Sequence, residues 1–459
     1  MPERGDKGGS LAEWMDRQFD LSAAAMLQCV SAVHLVKSRP AFGQMIRPTP
    51  GSVLASPTIA AYDPDPDYFF HWLRDSAVVV DALATLIEDG RDLRGHVRDF
   101  VGFSLALNEL DGRNGRAPVA ADPNFQQYLR SREDLNAAVG DNLLGETRFN
   151  PDGTLDITRW ARPQHDGPAL RALTIMRIWR LGLFDDVEGR DAARRLIEAD
   201  LAFANRRWNE PSFDIWEEEL GHHYYTRLVQ HAALSDGADW LDETGDPQAA
   251  RDCREASREI ARRLDDYWDE SKGFYRSRVG VSGGNPEKEL DIAVVLGVIH
   301  ARREAGAHSV RDLKAQATLA RLENLFARDY PINRPLPGDR GPAMGRYAGD
   351  GYYSGGAYYF ATLAAAEFCY RLAAAVARDG RADDAACGAL IRRGDCFMAT
   401  VRAYTPTHGE LSEQFDRATG EQTSSKNLAW SHAALITAVA ARRAADQSPS
   451  IKVPNARTT

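Results

Sequence analysis

Two kinds of helical segment alternate along this chain and constrain its fold more than any other feature. One kind is rich in Ala, Leu, Val and Ile and carries few charges, as expected of buried helices. The other kind carries more Arg, Asp and Glu and has the spacing of amphipathic surface helices. The apolar segments lie near residues 72–88, 167–182, 223–236, 289–304, 357–376 and 427–443, and the amphipathic ones near 11–36, 93–108, 189–204, 249–266, 310–328 and 384–402.

Six apolar segments alternating with six amphipathic ones predict an all-α fold, the (α/α)6 barrel, with six inner and six outer helices. A regular alternation of strands and helices is missing, which argues against a TIM barrel or a doubly wound sheet. We expect one domain over residues 10–443. Residues 1–9 and 444–459 are polar and are predicted to be disordered tails.

Charge and motif content argue against several classes of function. The chain has 66 acidic and 56 basic residues and no strongly basic run, so nucleic acid is not an expected partner. The five cysteines form no Cys-x-x-Cys pair and the eleven histidines no His-Glu-x-x-His motif, so no metal is expected. Nucleotide-binding glycine motifs are also missing, and we expect no cofactor.

The N-terminus and the apolar runs of the sequence bear on where in the cell the protein is expected. The N-terminus, MPERGDKGGS, is polar and no signal peptide is visible. No apolar run is expected to reach the ~20 residues that span a bilayer. The sequence therefore favours a soluble, cytoplasmic protein with no membrane partner, and we expect a monomer.

Stretches rich in aromatic and charged residues precede five of the apolar helices. In a double ring, these five loops open at the same end of the barrel. Polar and aromatic loops that converge on one mouth form a pocket suited to a small ligand. The five loops are residues 62–76, 145–168, 212–226, 345–360 and 411–428.

Two of these loops contain candidates for a pair of catalytic carboxyl groups. Hydrolysis of a glycosidic bond requires one protonated and one ionised carboxyl group. Glu217 follows Trp216 and lies near Asp214 and Glu218, so like charge and desolvation would favour its protonated form. Glu413 lies in a polar segment that would leave it ionised. The alternative is that the Glu217 region is a solvated helix start.

The remaining loops offer side chains that could hold a sugar. Arg donates hydrogen bonds in a fixed fork, Asp accepts them, and Trp stacks on the apolar face of a sugar ring. For Arg74 and Asp75 the alternative is a structural ion pair at the helix start. The candidates for substrate binding are Trp72, Arg74, Asp75, Trp160, Arg162, Asp214, Trp216, Glu218, Arg346, Tyr352 and Trp430.

At these residues the chain resembles glycoside hydrolase family 15, the glucoamylases. The resemblance covers about residues 10–442, and the motifs follow the order of the family. They are PDYFFHWLRDSA, LGETRFNPDGTLDITRWARPQHDGPALRA, FDIWEE, GRYAGDGYY and LSEQFDRATGEQTSSKNLAWSHAALITA.

The resemblance implies an exo-acting, inverting enzyme that releases β-D-glucose from the non-reducing ends of α-1,4-linked maltooligosaccharides. It implies that Glu217 is the general acid and Glu413 the general base. An inverting enzyme leaves room for a water molecule between these groups, so their carboxyls should lie roughly 6.5–9.5 Å apart. It also implies that Arg74 and Asp75 hold the terminal glucose and that Trp72, Trp160 and Trp430 are aromatic walls.

Some positions depart from the pattern of the fungal glucoamylases, which leaves the linkage open. Residues 352–358 read YYSGGAY, and Ala161 rather than glycine precedes Arg162. Within the family, an exo-α-1,6-glucosidase of the isomaltose or dextran type and a trehalase remain alternatives. From another class, the chain could be a non-catalytic sugar-binding or regulatory barrel.

Overall fold

A computed structural model describes residues 9–60, 65–115, 117–281, 284–378 and 384–447 of this protein, and it is dominated by helices. The α-helices, in chain order, are α1 (Leu11–Leu27), α2 (Leu73–Glu88), α3 (Arg94–Asn108), α4 (Arg132–Ala137), α5 (Asp141–Leu144), α6 (Asp166–Arg180), α7 (Val187–Arg207), α8 (Tyr224–Thr244), α9 (Pro247–Leu264), α10 (Ala293–Ala301), α11 (Leu313–Asp329), α12 (Tyr359–Arg378), α13 (Asp384–Tyr404) and α14 (Ala429–Asp446).

The apolar helices close into an inner ring. Helices α2, α6, α8, α10, α12 and α14 each contact the next, and α14 contacts α2. The amphipathic helices pack outside this ring: α1 on α14, α3 on α2 and α7, α7 on α6 and α8, α9 on α8, α11 on α10, and α13 on α12. The predicted (α/α)6 barrel is confirmed.

The two rings differ in how much of each helix is buried. Helix α12 is buried along almost its whole length, from Tyr359 to Ala377. Helix α9 buries only one face, with residues such as Cys253, Ile260 and Leu264 at helical spacing. This difference is what the alternating charge content of the sequence indicates.

Two sequence-based boundaries are wrong. The first outer helix ends at Leu27 rather than near residue 36, because the chain turns there and Val30 forms a β-bridge with Val53. Residues 444–446 form the last turn of α14 and are not part of a tail. Residues 1–8 and 448–459, which carry the rest of the predicted tails, lie outside the described residues.

Helix α12 also corrects the expectation about apolar length. By length and composition alone, Tyr359–Arg378 could cross a membrane. The helix lies in the inner ring, and 89% of its most apolar window is buried inside the protein. Its hydropathy is that of a core helix.

Short antiparallel strands join the loops at the end of the barrel where the inner helices begin. Trp72 pairs with Arg148, and Tyr358 pairs with Gln414, so loops distant in sequence are held side by side. The strands are β1 (Lys37–Arg39), β2 (Gln44–Ile46), β3 (His71–Trp72), β4 (Arg148–Phe149), β5 (Ser212–Phe213), β6 (Leu220–His223), β7 (Trp268–Asp269), β8 (Phe274–Tyr275), β9 (Arg278–Val279), β10 (Ala357–Tyr358), β11 (Gln414–Phe415) and β12 (Gln422–Thr423).

Candidate active site

Glu217 lies where three of the loops meet, and three N–H groups point at its carboxyl group. Trp72 Nε1 donates to Oε1 over 2.8 Å, and Arg74 Nη2 donates to the same oxygen over 3.0 Å. Trp160 Nε1 donates to Oε2. The backbone of Glu217 has a φ of +64°, which is uncommon for a residue other than glycine and often occurs at functional sites. The carboxyl group is thus held in one orientation.

Asp214 shapes the turn that carries Glu217. Its carboxylate accepts hydrogen bonds from the backbone N–H groups of Trp216, Glu218 and Glu219. Lys288 forms an ion pair with Asp214 over 2.7 Å. Although burial raises the pKa of Asp214, the Lys288 ammonium group and these hydrogen bonds hold it below its usual value. Asp214 is therefore an ionised anchor beneath the turn rather than a group open to substrate.

Glu218 and Trp216 are fixed by residues from other loops. Glu218 contacts Lys288 over 2.5 Å, Arg346 over 2.9 Å and the Tyr347 hydroxyl group over 2.6 Å. Trp216 Nε1 donates to Asp291 over 2.8 Å. Burial raises the pKa of Asp291 to about 7. Lys288 and Asp291 precede α10, so the sixth loop also contributes to this end of the barrel.

Arg74 is surrounded by three carboxyl groups. It lies 3.2 Å from Asp75, 3.6 Å from Asp166 and 3.0 Å from Glu217. Burial, opposed by Arg74 and assisted by the charge of Glu217, raises the pKa of Asp75 and of Asp166 to about 6. One guanidinium group cannot neutralise three carboxylates, so the cluster favours retention of a proton.

The same cluster has unused hydrogen-bonding capacity. Among the described residues, Arg74 Nε and Nη1, Asp75 Oδ1, both carboxyl oxygens of Asp166 and Trp430 Nε1 are buried without a hydrogen-bond partner. Buried polar atoms without partners are costly, and they often mark the place of a ligand. A ring of donors and acceptors at this spacing suits the hydroxyl groups of a sugar.

Glu413 is buried at the same mouth, in a different environment. Ser424 Oγ donates to its Oε2, and the Tyr68 hydroxyl group lies 3.3 Å from Oε1. Burial raises the pKa of Glu413 to about 7, and Ser424, Arg346 and Tyr68 oppose this rise. Tyr68 also shares a hydrogen bond of 2.8 Å with Tyr352. Hydroxyl groups, rather than cations, thus hold the Glu413 carboxyl group.

Tyr68 links the surroundings of the two glutamates. Its ring lies 5.4 Å from that of Trp72, which donates to Glu217, and its hydroxyl group contacts Glu413. Burial and the charge of Glu413 raise the pKa of Tyr68 well above its usual value, so its phenol group is neutral. The separation of the two carboxyl groups, roughly 6.5–9.5 Å, stays a prediction.

An aromatic stack forms the floor between these groups. Phe360 lies parallel to Trp430, with ring centroids 4.5 Å apart, and it also stacks on Trp216. Arg74 lies over the ring of Trp430 and Arg346 over that of Trp216. This floor is apolar, and a guanidinium group lies over the ring at each end of it.

Two further sequence-predicted binding residues, Arg162 and Arg346, also have polar groups occupied by other side chains. Arg162 is held by Glu146 over 2.6 Å and by Asp156 over 3.2 Å, in an ion-pair network below Trp160. Arg346 donates to Asp350 from Nε over 2.7 Å and from Nη2 over 2.5 Å, in addition to its ion pair with Glu218. Arg162 therefore supports the Trp160 loop, and Arg346 lies beside the pocket, over the rings of its aromatic wall.

Sequence reasoning did not single out five residues of this site. Tyr68, Asp166 and Ser424 lie in loops already predicted to form the mouth. Lys288 and Asp291 were missed because the sixth loop has few aromatic residues. In the sequence, their position just before an apolar helix could have indicated that they belong to the site. Within the described ranges, no group of three or more His, Cys, Asp or Glu side chains could hold a metal ion.

The sequence profile of glycosyl hydrolases family 15 matches residues 37–440, which include all six loops. The chain belongs to glycosyl hydrolases family 15. It is 27% identical to glucoamylase 1 of Rhizopus oryzae, over 95% of this chain and 72% of that protein. It is 28% identical to a probable glucoamylase of Schizosaccharomyces pombe, over 96% of this chain and 94% of the relative.

Solved structures show the same similarity. A family 15 glucoamylase from Hypocrea jecorina superposes with a TM-score of 0.78 at 25% identity, over 95% of this chain and 72% of that one. The glucoamylase of Saccharomycopsis fibuligera has a TM-score of 0.79 at 23% identity and covers nearly the whole of both chains. This family 15 chain is a glycoside hydrolase with the family's all-α barrel.

Proposed function

We propose that this family 15 enzyme is a glucoamylase, an exo-acting and inverting hydrolase of α-1,4-linked maltooligosaccharides that releases β-D-glucose. The observation that carries the proposal is the pair Glu217 and Glu413. The two carboxyl groups lie in loops at the same end of the barrel, and each has a different set of partners. This asymmetry is what an acid and a base in the same site require.

Glu217 is the proposed general acid. Its Oε1 is occupied by Trp72 and Arg74, which leaves Oε2 as the oxygen that carries the proton. A protonated carboxyl oxygen still accepts one hydrogen bond, here from Trp160. As the bond between C1 and the glycosidic oxygen breaks, the proton of Oε2 passes to that oxygen.

Glu413 is the proposed general base. Its carboxylate takes a proton from a water molecule while the oxygen of that water forms a bond to C1 on the face opposite the leaving group. The anomeric centre is thereby inverted, and an α-glucoside yields β-glucose. The donors Ser424 and Tyr68 favour the ionised form that this step needs.

The terminal glucose is proposed to bind over the Arg74 cluster. The unpaired atoms of Arg74, Asp75 and Asp166 supply donors and acceptors for its hydroxyl groups. Trp430, which stacks on Phe360, lies against Arg74 and is proposed to close the barrel beneath that position. A site closed from below admits only a chain end, which supports exo-action.

The α-1,4 linkage rests on the relatives, which bear the name glucoamylase and are 27–28% identical to this chain. The rates on maltose, isomaltose and trehalose test this choice. The highest kcat/KM on maltose is expected. A preference for isomaltose or trehalose would contradict the proposed α-1,4 specificity but not the proposed inverting hydrolysis.

The catalytic pair is tested by Glu217→Gln and Glu413→Gln. General acid or base catalysis contributes about 10²–10⁴-fold, so kcat should fall by at least that factor while a maltooligosaccharide still binds. Glu421→Gln is the matched control, because Glu421 is exposed on the same loop as Glu413.

The anomer released first is read by proton NMR on the wild type. β-Glucose is expected, and α-glucose would contradict inversion. A wild type that binds oligosaccharides and hydrolyses none of the three disaccharides would favour a sugar-binding barrel instead.

A further inference from the structure

A second cavity lies inside the barrel, behind the floor of the active site. Its volume is about 700 Å³, which is within the range of small-molecule sites. The catalytic residues lie where the inner helices begin, whereas this cavity opens where they end, beside Glu88, Arg180 and Arg378. It is therefore separate from the site at which the family 15 reaction takes place.

The deep part of the cavity is apolar. Leu170, Leu296 and Ala434 lie in the first two turns of their helices and face it, together with Phe360 and Trp430. The last two residues also form the floor of the active site. Apolar atoms of a ligand would be removed from water here, which stabilises binding by about 25 cal/mol per Å².

The mouth of the cavity is charged. Six arginines and five carboxylates line it: Arg177, Arg180, Arg302, Arg303, Arg371 and Arg378, with Asp81, Glu88, Asp236, Glu304 and Glu367. Positive charge is thus in excess by one at a mouth that lies in a cleft between helices. A cleft with low-dielectric walls strengthens the attraction of the excess charge for an anion.

Three of these arginines form ion pairs with carboxylates of the mouth. Arg303 forms a two-bond pair with Asp236, at 2.7 Å for each bond, and Arg378 pairs with Glu304 over 3.0 Å. Arg177 reaches Asp81 over 2.7 Å and also pairs with Glu88. Their charges are neutralised by the protein itself.

Arg302 and Arg371 retain free donor groups. Among the described residues, Arg302 donates one hydrogen bond, to Asp81, a carboxylate that it shares with Arg177. Arg371 contacts Glu367 and the carbonyl oxygen of Ile299. The side chain of Arg302 is 34% exposed within the mouth. Each guanidinium group has five N–H donors, so most of those of Arg302 have no hydrogen-bond partner among the described residues.

The electrostatic surroundings of Arg302 also favour an additional anion beside it. Burial, together with the like charges of Arg371 and Arg177, lowers the pKa of Arg302 despite the neighbouring Asp81. A second anion beside Arg302 and Arg371 would relieve this repulsion. A guanidinium fork binds a carboxylate through two parallel bonds.

We propose that this cavity binds a small organic acid, whose carboxylate pairs with Arg302 and Arg371 and whose apolar body lies in the deep part of the barrel. Carboxylate and apolar body are both required, because the two halves of the cavity select for different chemistry. A neutral sugar, which the active site takes, satisfies neither half.

The probe for this proposal is 4-iodobenzoate, with 4-iodobenzamide as its uncharged counterpart and acetate as the carboxylate without a body. Calorimetric titration of the wild type should detect 4-iodobenzoate and show binding at least tenfold weaker for the other two. Equal binding of the amide would overturn the anion site. Equal binding of acetate would overturn the role of the apolar part, and no binding of 4-iodobenzoate would overturn the proposal.

Arg302→Gln tests the named residue. Loss of hydrogen bonds to a charged group should weaken 4-iodobenzoate about 10-fold to 100-fold. Arg207→Gln removes the same charge from an outer helix, where Arg207 pairs with Glu210, and should leave binding within about twofold. Unchanged binding by Arg302→Gln would contradict the proposal, provided that its thermal unfolding matches the wild type. If this variant does not fold, Arg371→Gln takes its place.

The position of the iodine decides the case without any variant. In wild-type crystals soaked with 4-iodobenzoate, anomalous scattering should place the iodine near Phe360 in the cavity, with the carboxylate at Arg302. Iodine located at the Arg74 cluster instead, or absent from the cavity, would overturn the proposal.

Discussion

The hydroxyl group of Ser424 donates a hydrogen bond to Oε2 of Glu413. Burial raises the pKa of Glu413 to about 7, and this bond opposes the rise. A general base is active only when ionised, so kcat/KM should fall as the pH drops through about 7 in the free enzyme. The hydroxyl group of Ser424 is therefore expected to extend activity to lower pH.

Ser424→Ala should move the acid limb of the pH profile, where kcat/KM falls, to higher pH. A hydrogen bond to a charged group contributes about 1.5–3 kcal/mol, which corresponds to about one pH unit or more. The measurement is kcat/KM against pH on maltose. Ser424→Thr keeps the hydroxyl group and should keep the limb near that of the wild type. If the acid side of the kcat/KM profile does not move in Ser424→Ala, Ser424 does not influence the pKa of the base.

Glu413→Gln should stabilise the folded protein at high pH. The folded pKa of about 7 lies above the unfolded value near 4.5, so ionisation of Glu413 disfavours folding above pH 7, and this penalty disappears below pH 4.5. The variant should gain about 3 kcal/mol in free energy of unfolding at pH 8. Denaturant titrations at pH 8 and pH 4.5 measure the difference. An equal effect at both pH values would mean that the Glu413 carboxyl group is ionised freely in the fold.

Lys288→Met should weaken both the fold and catalysis. Lys288 joins Asp214 and Glu218, and its removal leaves two carboxylates without their shared cation. Breaking a buried ion pair costs about 3–5 kcal/mol. We expect a lower unfolding midpoint and, in the folded fraction, a lower kcat because the turn that carries Glu217 is no longer anchored.

Lys272→Met is the control for that experiment. Lys272 pairs with Glu289 at the surface, so its loss should change stability by less than about 1 kcal/mol. Lys288→Arg keeps the charge and should recover part of the stability. If Lys288→Met lowers stability and leaves kcat of the folded enzyme unchanged, Lys288 has no part in positioning Glu217.

Trp160→Phe should lower kcat with a smaller effect on the unfolding midpoint. Its Nε1 donates to Oε2 of Glu217, the oxygen proposed to carry the proton, and the side chain is 37% exposed. Loss of one such donor should reduce kcat about 10-fold to 100-fold. Trp268→Phe removes an equivalent bond, to Glu270 at the surface, and should leave kcat unchanged. Equal kcat values in the two variants would contradict the role of Trp160.

The two proposed catalytic carboxyl groups show how much of the site could be predicted from the sequence. Trp216 beside Glu217 suggested a desolvated acid, but its indole N–H binds Asp291. The indoles that hold Glu217 belong to Trp72 and Trp160, in two other loops. For Glu413 the local sequence indicated a polar and readily ionised group, whereas burial in the folded chain raises its pKa to about 7.

Arg162 and Lys288 also show that a residue's local motif did not predict its role in the site. Arg162 stands in a motif rich in candidates, yet its nitrogens are used by Glu146 and Asp156. Lys288 stands in a loop without such a motif, yet it anchors the turn that carries Glu217. Neighbours in sequence did not reveal these partners, because each partner comes from another loop of the ring.

The amino-acid sequence by itself determined the alternation of apolar and amphipathic helices, and thereby the double ring and the end at which its loops gather. Hydrophobic periodicity is local, so it can be read from consecutive residues. Only the tertiary structure decided which side chain holds which carboxyl group. Trp72 and Glu217 are 145 residues apart, and Tyr68 and Glu413 are 345 residues apart. Contacts over such separations exist only once the ring has closed, and they set the charge and solvation of the site.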